Sequence, residues 1–398
     1  MPSFSRPKKA IGIDLGAHSV KALQMSKQGR KIYIEEVGYA EIDSELVIAD
    51  PIKTNADAVL TALAGLTPNQ SYIVAALPGN TAVVRYPKIT LKPNETLTSA
   101  VERDSAQHIP FDLNEVFLSW DVITKVPEEQ KVQILLVAAK NDSINSRLRI
   151  FQSCNISCSV FDIDSIAVFN SIERCHLLHP NESVAIFDIG YSSSSIHFVR
   201  DMKSVFIRDL MWGAKDILDA IVKERRSDFK QAEKDLISMS KEAKTEHPEA
   251  VEVATPEAEE IEETVTAEPV SPLEPLDEEF DIDKPSPEFI SFASKSIREI
   301  MVSPMNRMVS EVRRSFDFFE HQLYEKPVQR IILCGGVSCC PLIGETLVEE
   351  FNVDSVEVAD FITPEVILSN SKSLDIFKEH SAKFAVAFGL AARGLSEI

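Results

Sequence analysis

The chain has 398 residues, room for two domains of roughly 150 to 200 residues each, and its 44% apolar and 26% charged content excludes a collagen-like or wholly disordered protein. A formal charge of -21, from 62 acidic and 41 basic residues, speaks against a general phosphate-backbone binder, which needs a basic face. The first apolar stretch, Ile11-Gly-Ile-Asp-Leu-Gly, is broken by Asp14 and followed by His18, unlike a signal peptide, so a cytosolic chain is expected.

Three strands open the chain, over 11–14, 20–26 and 32–42, separated by Gly16 and the turn Lys27-Gln-Gly-Arg30. A helix over about 55–66 and a strand over 72–77 follow, and Leu77-Pro78-Gly79 opens a new α+β unit. That unit reads as a strand over 81–86, a helix from Pro93 with Asn94 or Thr90 as cap, and strands over 116–123 and 132–139. Asn141-Asp142-Ser143 caps a helix to about Cys154, followed by a strand over 157–162 and a helix over 165–178. Strands over 184–188, 194–199 and 204–208 then repeat the opening meander. Residues 245–285 carry 15 Asp or Glu against the single Lys284, supplying -14 of the total charge. This Pro-rich, Gly-free run reads as a self-repelling loop, a solvated spacer or an acidic docking site. Residues 289–323 place apolar side chains on one face of a long helix, with Met301, Met305 and Met308 in the core and Ser303-Pro304 either kinking it or starting a second helix.

The chemistry lies in the repeat. Ile11-Gly-Ile-Asp-Leu-Gly16 and Ala185-Ile-Phe-Asp-Ile-Gly190 each end an apolar strand in Asp-x-Gly, followed by Ala17-His-Ser19 and Tyr191-Ser-Ser-Ser-Ser195. One such hairpin is an ordinary turn; two at the starts of matching meanders imply two similar lobes. Gly lets backbone N–H groups approach phosphate oxygens, Ser hydroxyls add donors, and a strand-end Asp can hold Mg²⁺ through water. A third element, Ile331-Ile-Leu-Cys-Gly335-Gly336, permits close backbone approach to a flat ligand.

At these three places the sequence resembles the actin, Hsp70 and sugar-kinase superfamily, whose two phosphate hairpins and glycine motif clamp ATP between lobes. The segments Ala75-Ala-Leu-Pro-Gly79, Glu102–Phe111 with Asp112-Leu-Asn-Glu-Val, Leu135–Lys140, Val309–Phe319 and Phe384–Leu395 narrow the resemblance to the PilM family, FtsA-like actin homologues of type IV pilus and type II secretion machines. The resemblance implies an α/β, actin-like, two-lobed fold with an FtsA-type inserted subdomain. Its expected parts are a first-lobe core over 1–83, the inserted α+β subdomain over 84–160, a connecting helix over 161–182, a second lobe over 183–380 that includes the acidic insertion 245–288, and a C-terminal helix over 381–398. It implies ATP and Mg²⁺ as cofactors. Asp14 and Asp188 would organise Mg²⁺ through water, Gly16, Ser19 and Lys21 would meet phosphates from the first hairpin, Gly190, Ser192 and Ser193 from the second, and Gly335 and Gly336 would flank the adenosine. The implied role is a cytoplasmic adaptor, at most a slow ATPase, held at the inner membrane by the cytosolic N-terminus of a PilN-like protein in a groove between the first subdomain and residues 84–160. The assembly ATPase and platform proteins would be further neighbours, and self-association is open.

Four positions depart from the family pattern: His18 replaces a small hydroxyl residue, the second hairpin lacks Thr-Thr-Asp, Val337 replaces a third Gly, and Trp212-Gly213 stands where a Gly pair is common. They point to reduced nucleotide affinity or hydrolysis. The rival readings are a phosphotransferase of the same fold, for which no cleft base or substrate pocket can be named, and an FtsA-like division protein, whose basic amphipathic tail has no counterpart here.

Other local signals read as structure. The six Cys give no disulfide framework, and neither Cys154-x3-Cys158 nor Cys339-Cys340 completes a metal-ligand set. His176-x2-His179 reads as a helix end. Asp162 and Asp164 read as capping groups before a helix rather than an acid/base pair.

Overall fold

The structure, a computed structural model, describes residues 9–126, 131–246 and 295–397. Most of the acidic run, residues 247–285, and the start expected for the long helix, 289–294, lie outside the described residues.

The first lobe opens with the meander β1 (Lys9–Leu15), β2 (Ser19–Gln28) and β3 (Lys31–Glu41), followed by α1 (Leu46–Ala49), α2 (Pro51–Ala62) and β4 (Ser71–Leu77). Helix α2 begins four residues earlier than the periodicity suggested. Asp50 accepts the Lys53 amide and Pro51 fills the first helical position, where its missing N–H costs nothing.

The inserted unit contains β5 (Ala82–Arg85), β6 (Lys88–Thr90), α3 (Leu97–His108), β7 (Val116–Val126) and β8 (Lys131–Lys140), forming one antiparallel four-stranded sheet. The expected caps of α3 are corrected here. Thr90 ends a strand, Asn94 takes a left-handed conformation, and Thr96 caps the helix by accepting the Ser99 amide. Helix α4 (Asn141–Ser153) has no side-chain cap, and Asn141 instead donates to the Asn114 carbonyl. Ile150, Phe151 and Cys154 join the core beneath α2, while Ile144 packs against the cluster that includes Leu77 of β4 and Ala139 of β8, so this helix bridges the first lobe and the inserted sheet.

After β9 (Val160–Ile163) and α5 (Asp164–Arg174), the second lobe repeats the plan with β10 (Ser183–Ile189), β11 (Ser194–Arg200) and β12 (Lys203–Leu210). Helices α6 (Ala214–Arg225), α7 (Phe229–Glu246) and α8 (Ile297–Asp317) precede β13 (Arg330–Gly335), α9 (Pro341–Phe351), β14 (Ser355–Val358), β15 (Val366–Leu368), α10 (Asp375–Glu379) and α11 (Ala385–Glu397).

The sheet orders are β15-β3-β2-β1-β4-β9 and β12-β11-β10-β13-β14. In both, an antiparallel meander is followed by a strand that returns parallel to its first member, β4 on β1 and β13 on β10. Helices α5 and α11 lie between the sheets, where Val168, Ala387 and Phe388 share one core with Leu23 and Val74 of the first sheet and Ile186 and Ile332 of the second. The outer face of the second sheet buries Trp212, Phe198 and the Met301, Met305 and Met308 stripe of α8. Helix α8 runs through Pro304 without starting a second helix, capped by the reciprocal Ser296 and Glu299 bonds. Its Pro304 carbonyl accepts the buried Trp212 indole N–H.

Candidate functional site

The two Asp-x-Gly turns face each other across a cavity of about 1220 Å³ between the lobes. It is lined by every residue the sequence singled out: Asp14, Gly16, Ser19, Lys21, Asp188, Gly190, Ser192, Ser193, Gly335 and Gly336. The sheet topology explains the convergence. Parallel pairing of β13 with β10 sets Gly335 beside Ile189, at the same sheet edge as hairpin 2.

The glycines differ in their reasons. Gly335 has φ of +95°, and an added Cβ would overlap the Ile189 carbonyl oxygen. A Cβ on Gly190 would overlap the Ser193 carbonyl, so the tight second hairpin requires glycine there, whereas Gly336 faces open space. In hairpin 1 the Gly16 amide is already given to the Ser19 carbonyl at 3.1 Å, so Gly16 shapes the turn rather than offering its own N–H. Gly213 caps α6, whose Ala214 and Lys215 amides donate to the Gly190 and Tyr191 carbonyls. That use accounts for glycine beside the buried Trp212. Ser194 is also committed, donating to the Trp212 carbonyl at 2.7 Å.

Charge in the cavity is unbalanced. Asp14 holds Lys21 at 2.9 Å. Burial works to lower the Lys21 pKa, but the Asp14 charge and hydrogen bond, helped by Asp188, raise it overall. Among the described residues Asp188 has no ion pair. Burial and then the Asp14 charge push it up to about 6, with Lys21 opposing.

Two further carboxylates were not identified as site residues from the sequence. Asp164, read as a cap, starts α5 and accepts the Ser165 amide at 2.7 Å, yet it also accepts the Gly79 amide at 2.9 Å and lines the cavity. Burial, then Asp209 and Asp188, push it up to about 8. Burial alone raises Asp209 to about 6. Gly79 is wedged between them, since its added Cβ would overlap Asp209 Oδ1 and reach 3.1 Å from Asp164 Oδ1. The expected capping role of Asp162 is corrected here: Ile163 precedes α5 without a side-chain cap, and Asp162 instead accepts the Ile163 amide and pairs with Arg393 at 2.6 Å. The cavity also receives Arg147 of α4 and Lys383, neither of which belongs to a motif.

Asp164 gives a pH test. Its folded-state pKa near 8 lies above the ordinary 3.8, so the folded chain retains a proton that the unfolded chain releases. The stability this contributes is full below about pH 4 and is lost as pH rises through about 8. Asp164→Asn keeps an acceptor oxygen for both amides and removes the titration. Its stability relative to wild type is expected to rise by roughly 5 kcal/mol between pH 4 and 9. Urea unfolding across that range checks this, and a pH-independent difference would exclude Asp164 as the titrating group.

Two of the thiols are held by backbone carbonyls. Cys154 donates to the Ala56 carbonyl and Cys158 to the Val160 carbonyl, and burial pushes Cys158 up to about 11. Cys339 stands 3.8 Å from His380 Nδ1. Among the described residues no group of three or more His, Cys, Asp or Glu converges as a metal site. His176 lies just past α5 with φ of +56°, pairing with Glu365 at 3.1 Å, as a helix end should.

The fold has counterparts among known proteins. One solved structure, described as the PilM-PilN type IV pilus biogenesis complex, matches with a TM-score of 0.71 over 98% of this chain and 99% of that one, at 20% identity. The ethanolamine utilization protein EutJ from Carboxydothermus hydrogenoformans matches at 0.47, with 10% identity over 97% and 90% of the two chains. The activator of the 2-hydroxyisocaproyl-CoA dehydratase from Clostridium difficile, with bound ADPNP, matches at 0.42, with 10% identity over 98% and 95%. The fold is shared with the PilM-PilN structure. Residues 12–266 and 290–395 match the model of the family described as type IV pilus assembly protein PilM. With that match spanning both lobes, the inserted sheet and all three glycine motifs, the chain belongs to the PilM family of type IV pilus assembly proteins.

Proposed function

We propose that the chain is a cytoplasmic, ATP-binding adaptor of the type IV pilus assembly platform, docking the cytosolic N-terminus of a PilN-like inner-membrane protein. The observation that carries this reading is the convergence of ten motif residues from both lobes on one cavity. The cavity suits a nucleotide: glycine-tight turns, the Ser19, Ser192 and Ser193 hydroxyls, and Lys21 supply the phosphate end, and Gly335 with Gly336 the adenosine end. The under-neutralised Asp188 suits a divalent cation. Mg²⁺ arriving with the phosphates would be held through water by Asp14 and Asp188, where it would offset the charge of both carboxylates and phosphates.

The same cavity reaches Pro78, Asn80 and Thr81 and the first turn of α4 at Asp142 and Ser143, the boundary between the first lobe and the inserted sheet. The partner groove is proposed beside that boundary. A polar chain ties the inserted unit to the second lobe: Tyr86 bonds Ser204 at 2.7 Å, and Ser204 bonds the buried His197 at 2.6 Å. Burial pushes His197 down to about 4, so this link stays uncharged at neutral pH. Closure of the lobes on a nucleotide would therefore be felt at the inserted unit, which is what coupling between the two sites requires. No helix of the described residues is long and apolar enough to cross a membrane, and the proposed membrane location is through the partner.

The test is the affinity of a peptide with the PilN-like cytosolic N-terminal sequence, with and without ATP·Mg²⁺. A change of fivefold or more is expected. Equal affinities would remove the coupling and leave a nucleotide-independent scaffold.

A further inference from the structure

The two phosphate-type hairpins touch through a pair of rings. His18, from the turn between β1 and β2, stacks on Tyr191, from the turn between β10 and β11, with centroids 4.8 Å apart and planes inclined by 21°. Phe229, the first residue of α7, stands edge-on to Tyr191 at 5.8 Å. One turn further along α7, the Glu233 carboxylate lies 3.7 Å from His18 Nε2. That is too long for a hydrogen bond, and among the described residues this buried ring nitrogen has no hydrogen-bond partner.

The surrounding charges favour an anion at this place. Lys383, in the turn entering α11, lies over the Tyr39 ring at 4.1 Å. Burial and the Lys21 charge lower its pKa, while Glu233 and Glu41 work against them. Glu233 is held below the usual carboxylate range chiefly by His18, against burial and with help from Lys383. His18, Glu233, Lys383, Lys21 and Tyr39 all line the cavity. A carboxylate from the second lobe therefore lies 3.7 Å from an unsatisfied ring nitrogen of the first hairpin and within the field of a lysine crowded by another lysine.

We propose that Glu233 holds the place of a nucleotide's terminal phosphate, competing with it for His18 and Lys383, so that a triphosphate displaces Glu233 and loosens the start of α7. This rests on the nucleotide reading of the cavity. The chemistry is competition between two anions for the place beside one imidazole and in the field of one ammonium. A terminal phosphate brings more negative charge and more acceptor oxygens than a carboxylate, and it can satisfy the His18 nitrogen that Glu233 leaves 3.7 Å away. A diphosphate, one phosphate shorter, competes less. Displacement acts on α7, the helix that leads in sequence into the acidic run, so the phosphate count of the ligand would be passed to that part of the chain. His18 is thereby a specificity residue rather than a defective hairpin position.

The test is calorimetric titration of ATP·Mg²⁺ and ADP·Mg²⁺ into the full wild-type chain and into Glu233→Gln, with amide hydrogen exchange of residues 229–239 followed on the same samples. Removing the competing charge is expected to tighten ATP roughly tenfold and ADP by less than about threefold. Exchange over 229–239 is expected to rise on adding ATP to wild type and to be already raised, and insensitive to ATP, in Glu233→Gln. Glu233→Ala gives the same ranking without introducing an amide donor. If ATP binds but its affinity moves in step with that of ADP, or not at all, the competition is overturned and the nucleotide reading survives. If neither wild type nor variant binds ATP, both fall.

Discussion

Replacing Asp188 by Asn is expected to weaken ATP binding about 100-fold in the presence of Mg²⁺, roughly 2.7 kcal/mol, and to leave it unchanged or tighter in EDTA. The change of sign follows from the charges around the hairpins. Asp14 is committed to Lys21 at 2.9 Å, whereas Asp188, pushed up to about 6 by burial and by Asp14, has no ion pair among the described residues. Without a metal, Asp188 repels an incoming phosphate chain, and the amide removes that repulsion. With a metal, Asp188 is half of the pair proposed to hold its water shell, and the amide removes a full charge from it. Protonation acts in the same direction, so Mg²⁺-dependent binding by wild type should weaken as pH falls through about 6, and the Asn variant should lack that step. Asp14→Ala is expected to lose binding in both conditions, because it also leaves the buried Lys21 ammonium unpaired. Calorimetry in Mg²⁺ and in EDTA, with phosphate release followed in parallel, checks all of this. Turnover should be slow throughout, since Asp164, the carboxyl that accepts the Gly79 amide, is largely protonated at neutral pH and only a small fraction is free to take a proton. An equal loss of binding in Mg²⁺ and EDTA for Asp188→Asn would show fold damage instead of a lost metal partner.

The part of the site carried by local patterns was legible in the sequence. Both hairpins announce themselves as an apolar strand, Asp, one residue and Gly, and the repeat of that phrase after a gap of 174 positions predicts two lobes before any contact is known. Gly335 was legible for the same reason, as a glycine at the end of a wholly apolar strand. Asp209 was not, because it closes the third strand of the second meander with no motif around it, and only pairing with β11 carries it towards Gly79. Asp164 had a sufficient local explanation as a helix-start residue, and that explanation hid its second bond to the Gly79 amide. Lys383 and Arg147 reach the cavity from elements remote in sequence, so no spacing could single them out. His18 was visible only as a departure from a family pattern; its stacking on Tyr191 depends on how the two lobes meet. Helix boundaries moved where capping outweighed periodicity, as at Asp50-Pro51 and Thr96.

The same substitution should have opposite effects at two helical glycines. In an exposed helix, Gly→Ala ordinarily stabilises by about 1 kcal/mol, because alanine loses less backbone freedom on folding. Gly344 in α9 meets nothing within 4 Å of an added Cβ, so Gly344→Ala is expected to gain up to that amount. Gly389 in α11 is different, since its Cβ would overlap the Ala167 carbonyl oxygen of α5, backbone that cannot rotate away. The neighbouring contacts are as tight: a Cβ on Gly12 of β1 would overlap the Ala387 carbonyl and lie 2.5 Å from the Ala391 amide nitrogen. Helix α11 is therefore seated backbone to backbone on α5 and β1, in the core shared by both sheets. Gly389→Ala must push the two helices apart, giving up close packing along their length. The overpacking cost of about 1 to 3 kcal/mol outweighs the propensity gain. Thermal melts should show Gly389→Ala lower by several degrees and Gly344→Ala slightly higher. Because α5 begins at Asp164, displacement of α5 should also carry into the cavity, and Gly389→Ala should weaken ATP binding although residue 389 lies outside the cavity lining. A Gly389→Ala protein that melts with or above wild type would show that α11 and α5 have room the close contacts deny.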